Sequence, residues 1–222
     1  MKINKRLKTI GDLVPLSSYP LDIGCDHALL SIYLVKERNI SKAVASDNKT
    51  GPLEKALENV KFYKVSDKVK LVQKEGLNSY TDGIDTITIS GMGGLNINRI
   101  LDNNKNYLKN INTLILSPNN YSLAVKRKLI KLGYHISNEV LVKENNIIYE
   151  IYVFEKGRKY YSYKKIFLGP VLMTKNDILT KEYYHNLLKN KENLLKVLPN
   201  SFRSKKNLTK KEIKYLKDII AK

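Results

Sequence analysis

The stretch "LDIGCDHALL" (Leu21–Leu30) decides how the rest of the chain reads. An apolar run of strand character delivers Asp22, Asp26, the chain's one cysteine (Cys25) and one of its three histidines (His27), just before a helical pattern begins. A metal site, a reactive thiol and a loop that holds a small molecule compete for this stretch. Metal chemistry fails on inventory: His27 has no partner at ligand spacing, and His135 and His185 stand isolated in a strand-like and a helical segment. The thiol reading fails on electrostatics, because Cys25 has no basic neighbour in sequence to lower its pKa and reads as a small turn residue. The ligand loop remains. Gly24 lets backbone approach a ligand closely, and Asp22 and Asp26 flank it with negative charge.

Working outward, short β-rich runs alternate with amphipathic stretches from Ser18 to Phe154, the pattern of a doubly wound α/β sheet. The strands are expected at residues 19–24, 42–47, 69–73, 85–90 and 112–117. Helices are expected from His27 to Arg38, Pro52 to Tyr63, Leu95 to Leu101 and Leu123 to Leu132, each a crossover between parallel strands. After Gly133, "YHISNEVLVKENNIIYEIYVFEKG" gives two alternating runs joined at Asn145 and Asn146. Asn tolerates positive φ, so the pair makes a tight hairpin turn and the sheet ends antiparallel. Beyond "FLGP" (167–170), Tyr184, Leu187, Leu188, Leu194, Leu195 and Leu198 recur at helical spacing. "PNSFRSKKN" then breaks the run, and Thr209 with Glu212 reads as the capping box of a second helix. The expected division is a domain of residues 1–165 followed by a basic helical hairpin of residues 166–222.

Composition narrows the partners. The 222 residues carry 40 Lys and Arg against 21 Asp and Glu, a formal charge of +19, which attracts a polyanion. Nucleic acid is the first candidate; the alternative is a Lys-rich codon bias scattered over every surface. Residues 171–222 hold 12 Lys and one Arg against five acids, so the hairpin is either an RNA-binding arm or a packing appendage. The N-terminus "MKINKRLKTIGDL" is too polar for a signal peptide and no segment is apolar enough to span a membrane, which predicts a cytoplasmic protein.

In an open α/β sheet ligands bind beyond the carboxyl ends of the strands, where strand order reverses, and the first strand flanks that crevice. The full glycine pattern that cradles a pyrophosphate is missing, and two carboxylates repel one, so a nucleotide-dependent dehydrogenase ranks last. A cationic ligand fits better, and S-adenosylmethionine carries both an ammonium and a sulfonium. Asp47, ending the second strand, suits a ribose through paired hydroxyl hydrogen bonds, or serves as a turn residue before "NKTGP". Glu75 is placed to accept from an adenine amino group, with Leu77 packed on the ring. "ISGMGG" (89–94) is either a floor of exposed N–H groups for cofactor and target base or a turn that serves packing. Asn119 in "LSPN" either hydrogen-bonds a base edge or caps the following helix.

Taken together, "DIGCDHALL", "GPL" (51–53), "EGL", "ITISGMGG", "SPN" and "YEI" (149–151), followed by a basic helical hairpin, resemble TrmK, the bacterial family of tRNA adenine-N1 methyltransferases that modify adenine 22. The resemblance spans nearly the whole chain. It implies a class I, Rossmann-like S-adenosylmethionine-dependent methyltransferase fold and a C-terminal coiled-coil hairpin that helps hold tRNA. It assigns the cofactor crevice to Asp22, Gly24, Asp26, Asp47, Glu75 and the loop from Gly91 to Gly94, and the candidate cofactor-binding residues are Asp22, Gly24, Cys25, Asp47, Asn48, Glu75, Gly76, Leu77, Ser90, Gly91, Met92 and Gly93. Asp26, His27 and Asn119 are the candidate catalytic residues: Asp26 either favours the cation formed on the base or orients the cofactor, and His27 either orients Asp26 or the base or begins a helix. The family commonly has Ser where this chain has Cys25 and Asp where it has Glu75. A monomer is expected. Two alternatives stay open: a methyltransferase acting on another RNA, and a non-catalytic RNA-binding protein that keeps the fold.

Overall fold

The computed structural model describes residues 1–221 and divides into two compact units, Met1–Lys159 and Tyr160–Lys222. The boundary expected at 165 falls inside a helix of the second unit, Tyr163–Leu168.

The first unit begins with a helix that sequence reading overlooked, α1 (Lys5–Leu13), capped by the Asn4 side chain, which accepts from Leu7 N at 2.8 Å. Then follow β1 (Pro20–Ile23), α2 (Leu29–Lys36), β2 (Ala43–Asp47), α3 (Thr50–Phe62), β3 (Val69–Gln73) and β4 (Thr86–Ser90). The chain continues through α4 (Gly94–Asn103), α5 (Lys105–Leu108), β5 (Thr113–Ser117), α6 (Ser122–Lys131), β6 (Tyr134–Glu144) and β7 (Ile147–Lys156). The seven strands form one sheet in the order β3-β2-β1-β4-β5-β7-β6. The first five run parallel, and β7 pairs antiparallel with both β5 and β6. Asn145 and Asn146 both take positive φ (49° and 62°), the conformation a two-residue hairpin turn needs.

Strand order reverses between β1 and β4. Right-handed crossovers therefore put the helices of the β1-β2-β3 half and those of the β4-β5 half on opposite faces. One buried cluster joins Ala28, Ile32 and Val35 of α2 to Ala56 and Val60 of α3 over Ala43 and Ala45 of β2. Another seats Ile10 and Val14 with Leu30 and Leu34 over Ile115, Val142 and Ile151. All four residues of β1 are buried, as both faces of a central parallel strand must be. The first crossover helix starts at Leu29, later than the expected His27, because Asp26 and Ala28 adopt positive φ (49° and 55°) and hold the turn out of the right-handed helix.

In the second unit, α7 (Tyr163–Leu168) precedes α8 (Ile178–Val197) and α9 (Arg203–Ile220). Lys191 pairs with Glu212 at 2.8 Å and Glu192 with Lys217 at 3.2 Å, tying α8 to α9, which follows after a connection of only five residues as a helical hairpin. Its core holds Tyr184, Ile213 and Leu216. The Thr209–Glu212 capping box is corrected: α9 begins at Arg203, so Thr209 stands inside the helix, where its hydroxyl donates to Lys205 O at 2.8 Å. Glu212 is buried and accepts from the Tyr163 hydroxyl at 2.5 Å. Among the described residues, no helix is long and apolar enough to cross a membrane, and no group of three metal-binding side chains occurs.

Candidate active site at the sheet's switch point

A cleft of about 610 Å³ opens at the carboxyl ends of β1, β2 and β4, where the strand order reverses. Its floor is the β1 turn. The Gly24 and Cys25 amides both donate to Ser46 O, at 2.8 and 2.9 Å, which fastens this turn to the end of β2. Gly24 has φ of 73°, a conformation that favours glycine, and the Met92 methyl lies over it, 2.1 Å from where a Cβ would stand.

Asp22 lies beneath this turn, 4% exposed, and its Oδ1 accepts from the Thr88 hydroxyl of β4 at 2.8 Å. Burial pushes its carboxyl up to about 7; the Thr88 hydrogen bond opposes that rise and the nearby Asp47 adds to it. A buried carboxylate short of positive partners favours a cation. Asp47 ends β2 and accepts from Lys49 N at 3.0 Å, leaving acceptor capacity toward the cleft.

Eleven of the expected residues line the cleft: Asp22, Gly24, Cys25, Asp26, Asp47, Asn48, Glu75, Gly76, Ser90, Gly91 and Met92. Glu75 is not free on the wall, since it accepts from Arg99 of α4 at 3.0 Å. Cys25 is 7% exposed, packs in the α2–α3 cluster, and has its thiol pushed up by burial and by Asp22 and Asp47. Both features suit a spacer and not a nucleophile.

Four expected residues lie off the cleft lining. Leu77 is sealed in the core at 1% exposure; the apolar surface at that end comes from Ile100, whose side chain would be 3.0 Å from a Cβ on Gly76. Gly93 precedes α4, and a Cβ on it would stand 3.1 Å from Asn120 Oδ1, while one on Gly94 would meet Asn120 O at 2.5 Å. The double glycine therefore lets the β4 and β5 loops touch, the packing alternative for that motif. His27 is half-exposed, with Nε2 3.4 Å from Asp26 Oδ1. Asn119 lies behind the rim, where its Nδ2 donates to Gly91 O at 2.7 Å and its N to Met92 O at 2.9 Å.

Sequence reasoning missed Asn4, Arg6 and Leu7 of the N-terminal segment, and Asn96 and Arg99 of α4, all of which line the cleft. The signal was present: Asn before "KRLKTIGDL" is an N-cap, and Leu7, Ile10 and Val14 recur at helical spacing.

The cleft suits S-adenosylmethionine on its donor set: a buried carboxylate for a cation, an acid at the second strand's end, and a turn whose glycine holds a positive φ. Sheet order and cleft together define a Rossmann-like S-adenosylmethionine-dependent methyltransferase fold. The match runs further, for the model of the family described as TrmK, tRNA (adenine(22)-N(1))-methyltransferase, covers residues 20–222, and the chain belongs to that family. The Bacillus subtilis tRNA (adenine(22)-N(1))-methyltransferase is 33% identical over 195 residues, 84% of this chain and 82% of its own. Among solved structures, Streptococcus pneumoniae Sp1610 in complex with S-adenosyl-L-methionine is 30% identical, with a TM-score of 0.89 over 99% of this chain and 100% of that one. A protein from Streptococcus agalactiae is 32% identical, with a TM-score of 0.91 over 99% of this chain and 98% of its own.

Proposed function

We propose that this chain transfers the methyl group of S-adenosyl-L-methionine to N1 of adenine 22 in tRNA, acting as a monomer in the cytoplasm. The observation that carries this reading is the buried Asp22 carboxylate at the switch-point cleft of a chain that matches the family over residues 20–222. Asp22 and Gly24 would hold the cationic methionyl end, Asp47 the ribose, and Asn48, Glu75 and Gly76 the adenine end, with Ser90, Gly91 and Met92 on the side where the target base enters. Bound S-adenosylmethionine supplies an electrophilic methyl group on a sulfonium.

Adenine N1 carries a lone pair near neutral pH, so no residue of the chain has to remove a proton before attack. The protein's task is alignment, which supplies about 7 to 11 kcal/mol in the most favourable intramolecular cases. N1 lies on the pairing edge, so the base must leave any stack or pair, at a cost of a few kcal/mol. Methylation leaves a cation on the base, and Asp26, exposed on the β1 turn, offers it a carboxylate. The cationic hairpin of the second unit supplies phosphate contacts.

The test is incubation of the protein with tRNA transcripts and isotopically labelled S-adenosylmethionine, followed by mass-spectrometric mapping. Label confined to N1 of adenine 22, and lost when that position is guanine, is the expected result. Label at another nucleotide, or none, overturns the reading.

A further inference from the structure

Arg6, which lines the cleft, forms a cluster with Asn119 and Tyr149 just behind its rim that the cofactor-holding residues leave unexplained. The Arg6 guanidinium lies over the Tyr149 ring, 4.4 Å from its centroid, and its Nη1 donates to Asn119 Oδ1 at 3.4 Å. The orientation of the Asn119 amide is fixed from both sides. Gly91 O is an acceptor, so the amide atom 2.7 Å from it is the Nδ2 donor; a guanidinium only donates, so the atom facing Arg6 is Oδ1. The backbone of Asn119 is also anchored, its N donating to Met92 O. Asn119 therefore presents a neutral acceptor in a set direction beside an aromatic face. Arg6 itself is poorly settled there: its Nε is buried with no hydrogen-bond partner.

We infer that Asn119 selects adenine, its Oδ1 accepting from the exocyclic N6 amino group while the base stacks on Tyr149, and that Arg6 occupies both positions until the base arrives. This rests on the adenine-N1 reading above. A guanidinium and an adenine are alike in what this site senses: each is planar, stacks on a ring and offers N–H groups in its plane. The amino-bearing carbon of adenine adjoins N1, so an anchored amino group fixes the nucleophile. Guanine and hypoxanthine put a carbonyl oxygen where the amino group belongs, which would face Oδ1 with like partial charge. Both also carry hydrogen on N1. Selection by an acceptor thus coincides with selection for an available lone pair.

The experiment is a cycle between one residue and one chemical group, using the full-length protein. Methylation is measured on tRNA with adenosine at the target position and on the same tRNA with purine riboside, which lacks the amino group. In the wild type the adenosine substrate should be favoured in kcat/KM by about tenfold more than in Asn119→Ala, the worth of one well-placed hydrogen bond. Tyr149→Ala should raise KM for both substrates by one factor, and Arg6→Ala should leave the preference intact. Calorimetry with S-adenosylmethionine on each variant reads the fold and the cofactor cleft. An equal adenosine-to-purine ratio in wild type and Asn119→Ala overturns the inference; should Asn119→Ala fail to bind cofactor, wild type that methylates both substrates equally overturns it. Wild type that methylates neither refutes the adenine-N1 reading instead.

Discussion

Cofactor affinity should depend on pH through a single buried group, Asp22. Burial lifts its carboxyl from the ordinary 3.8 to about 7. A cationic ligand needs the ionised form, so apparent affinity should follow the ionised fraction as pH rises. Between pH 5.5 and 7 that fraction grows from about 3% to about 50%, an increase of roughly fifteenfold. The window stops at pH 7 because the carboxyl is then half ionised, and a further rise in pH can raise the ionised fraction only about twofold more. Asp22→Asn keeps the size of the side chain, and its amide oxygen can still accept from Thr88. This variant should bind weakly at every pH and lose the rise. The sign reverses for stability of the cofactor-free protein. A carboxyl whose pKa is raised on folding binds more protons in the native state between 3.8 and about 7, so its ionisation erodes stability as pH climbs, by up to about 4 kcal/mol. Asp22→Asn should therefore melt higher than wild type at pH 8 and lose that advantage at low pH. Isothermal calorimetry at four pH values and thermal melts of both proteins test the two halves separately. Wild-type affinity flat from pH 5.5 to 7, or the same slope in both proteins, refutes the assignment of Asp22 to the cation.

Three further outcomes follow from other parts of the molecule. Asp47→Ala should weaken S-adenosylmethionine binding by about ten- to a hundredfold without shifting the melting temperature much, since its visible structural partner is only Lys49 N; unchanged affinity by calorimetry counts against a ribose role. Gly94→Ala should destabilise the fold by about 1 to 3 kcal/mol in urea unfolding, because its Cβ would sit 2.5 Å from the Asn120 carbonyl and both loops are backbone there; a variant as stable as wild type would show that the loops give way freely. Replacing Lys205, Lys210 and Lys214, all exposed on α9, by Glu should leave cofactor binding intact and weaken tRNA binding, with the slope of log affinity against log salt falling by about two to three. Filter binding that shows full tRNA affinity in this variant removes α9 from the RNA surface.

What was legible in the sequence is what local pattern determines, and what was not depends on long-range packing. Asp22, Gly24 and Asp47 were readable because a strand's end and a turn glycine are local events, and the winding rule then puts them at the crevice. Helix α1 was legible from its Asn4 cap and the spacing of Leu7, Ile10 and Val14, and was passed over; what no local pattern shows is how it packs, since Gly11 matters for absence, a Cβ there meeting the Tyr33 ring at 2.6 Å. No periodicity rule scores a missing side chain. Missing α1 hid Arg6, and without Arg6 the amide of Asn119 had no second partner to orient it. Leu77 shows the opposite error, a residue next to the right turn whose side chain serves the core while Ile100, 23 positions later on α4, supplies the cleft surface. Thr209 and Glu212 err for a reason that composition disguises: a spacing of three is also one helical turn, so the motif of a helix start recurs inside any helix with Thr and Glu on one face. What separates the two cases is burial, and Glu212 is buried against Tyr163 and Lys191, 49 and 21 positions away in the chain. A carboxylate held by such distant partners is invisible to any window of sequence, whereas the capping acid of a helix start needs only its own first turn.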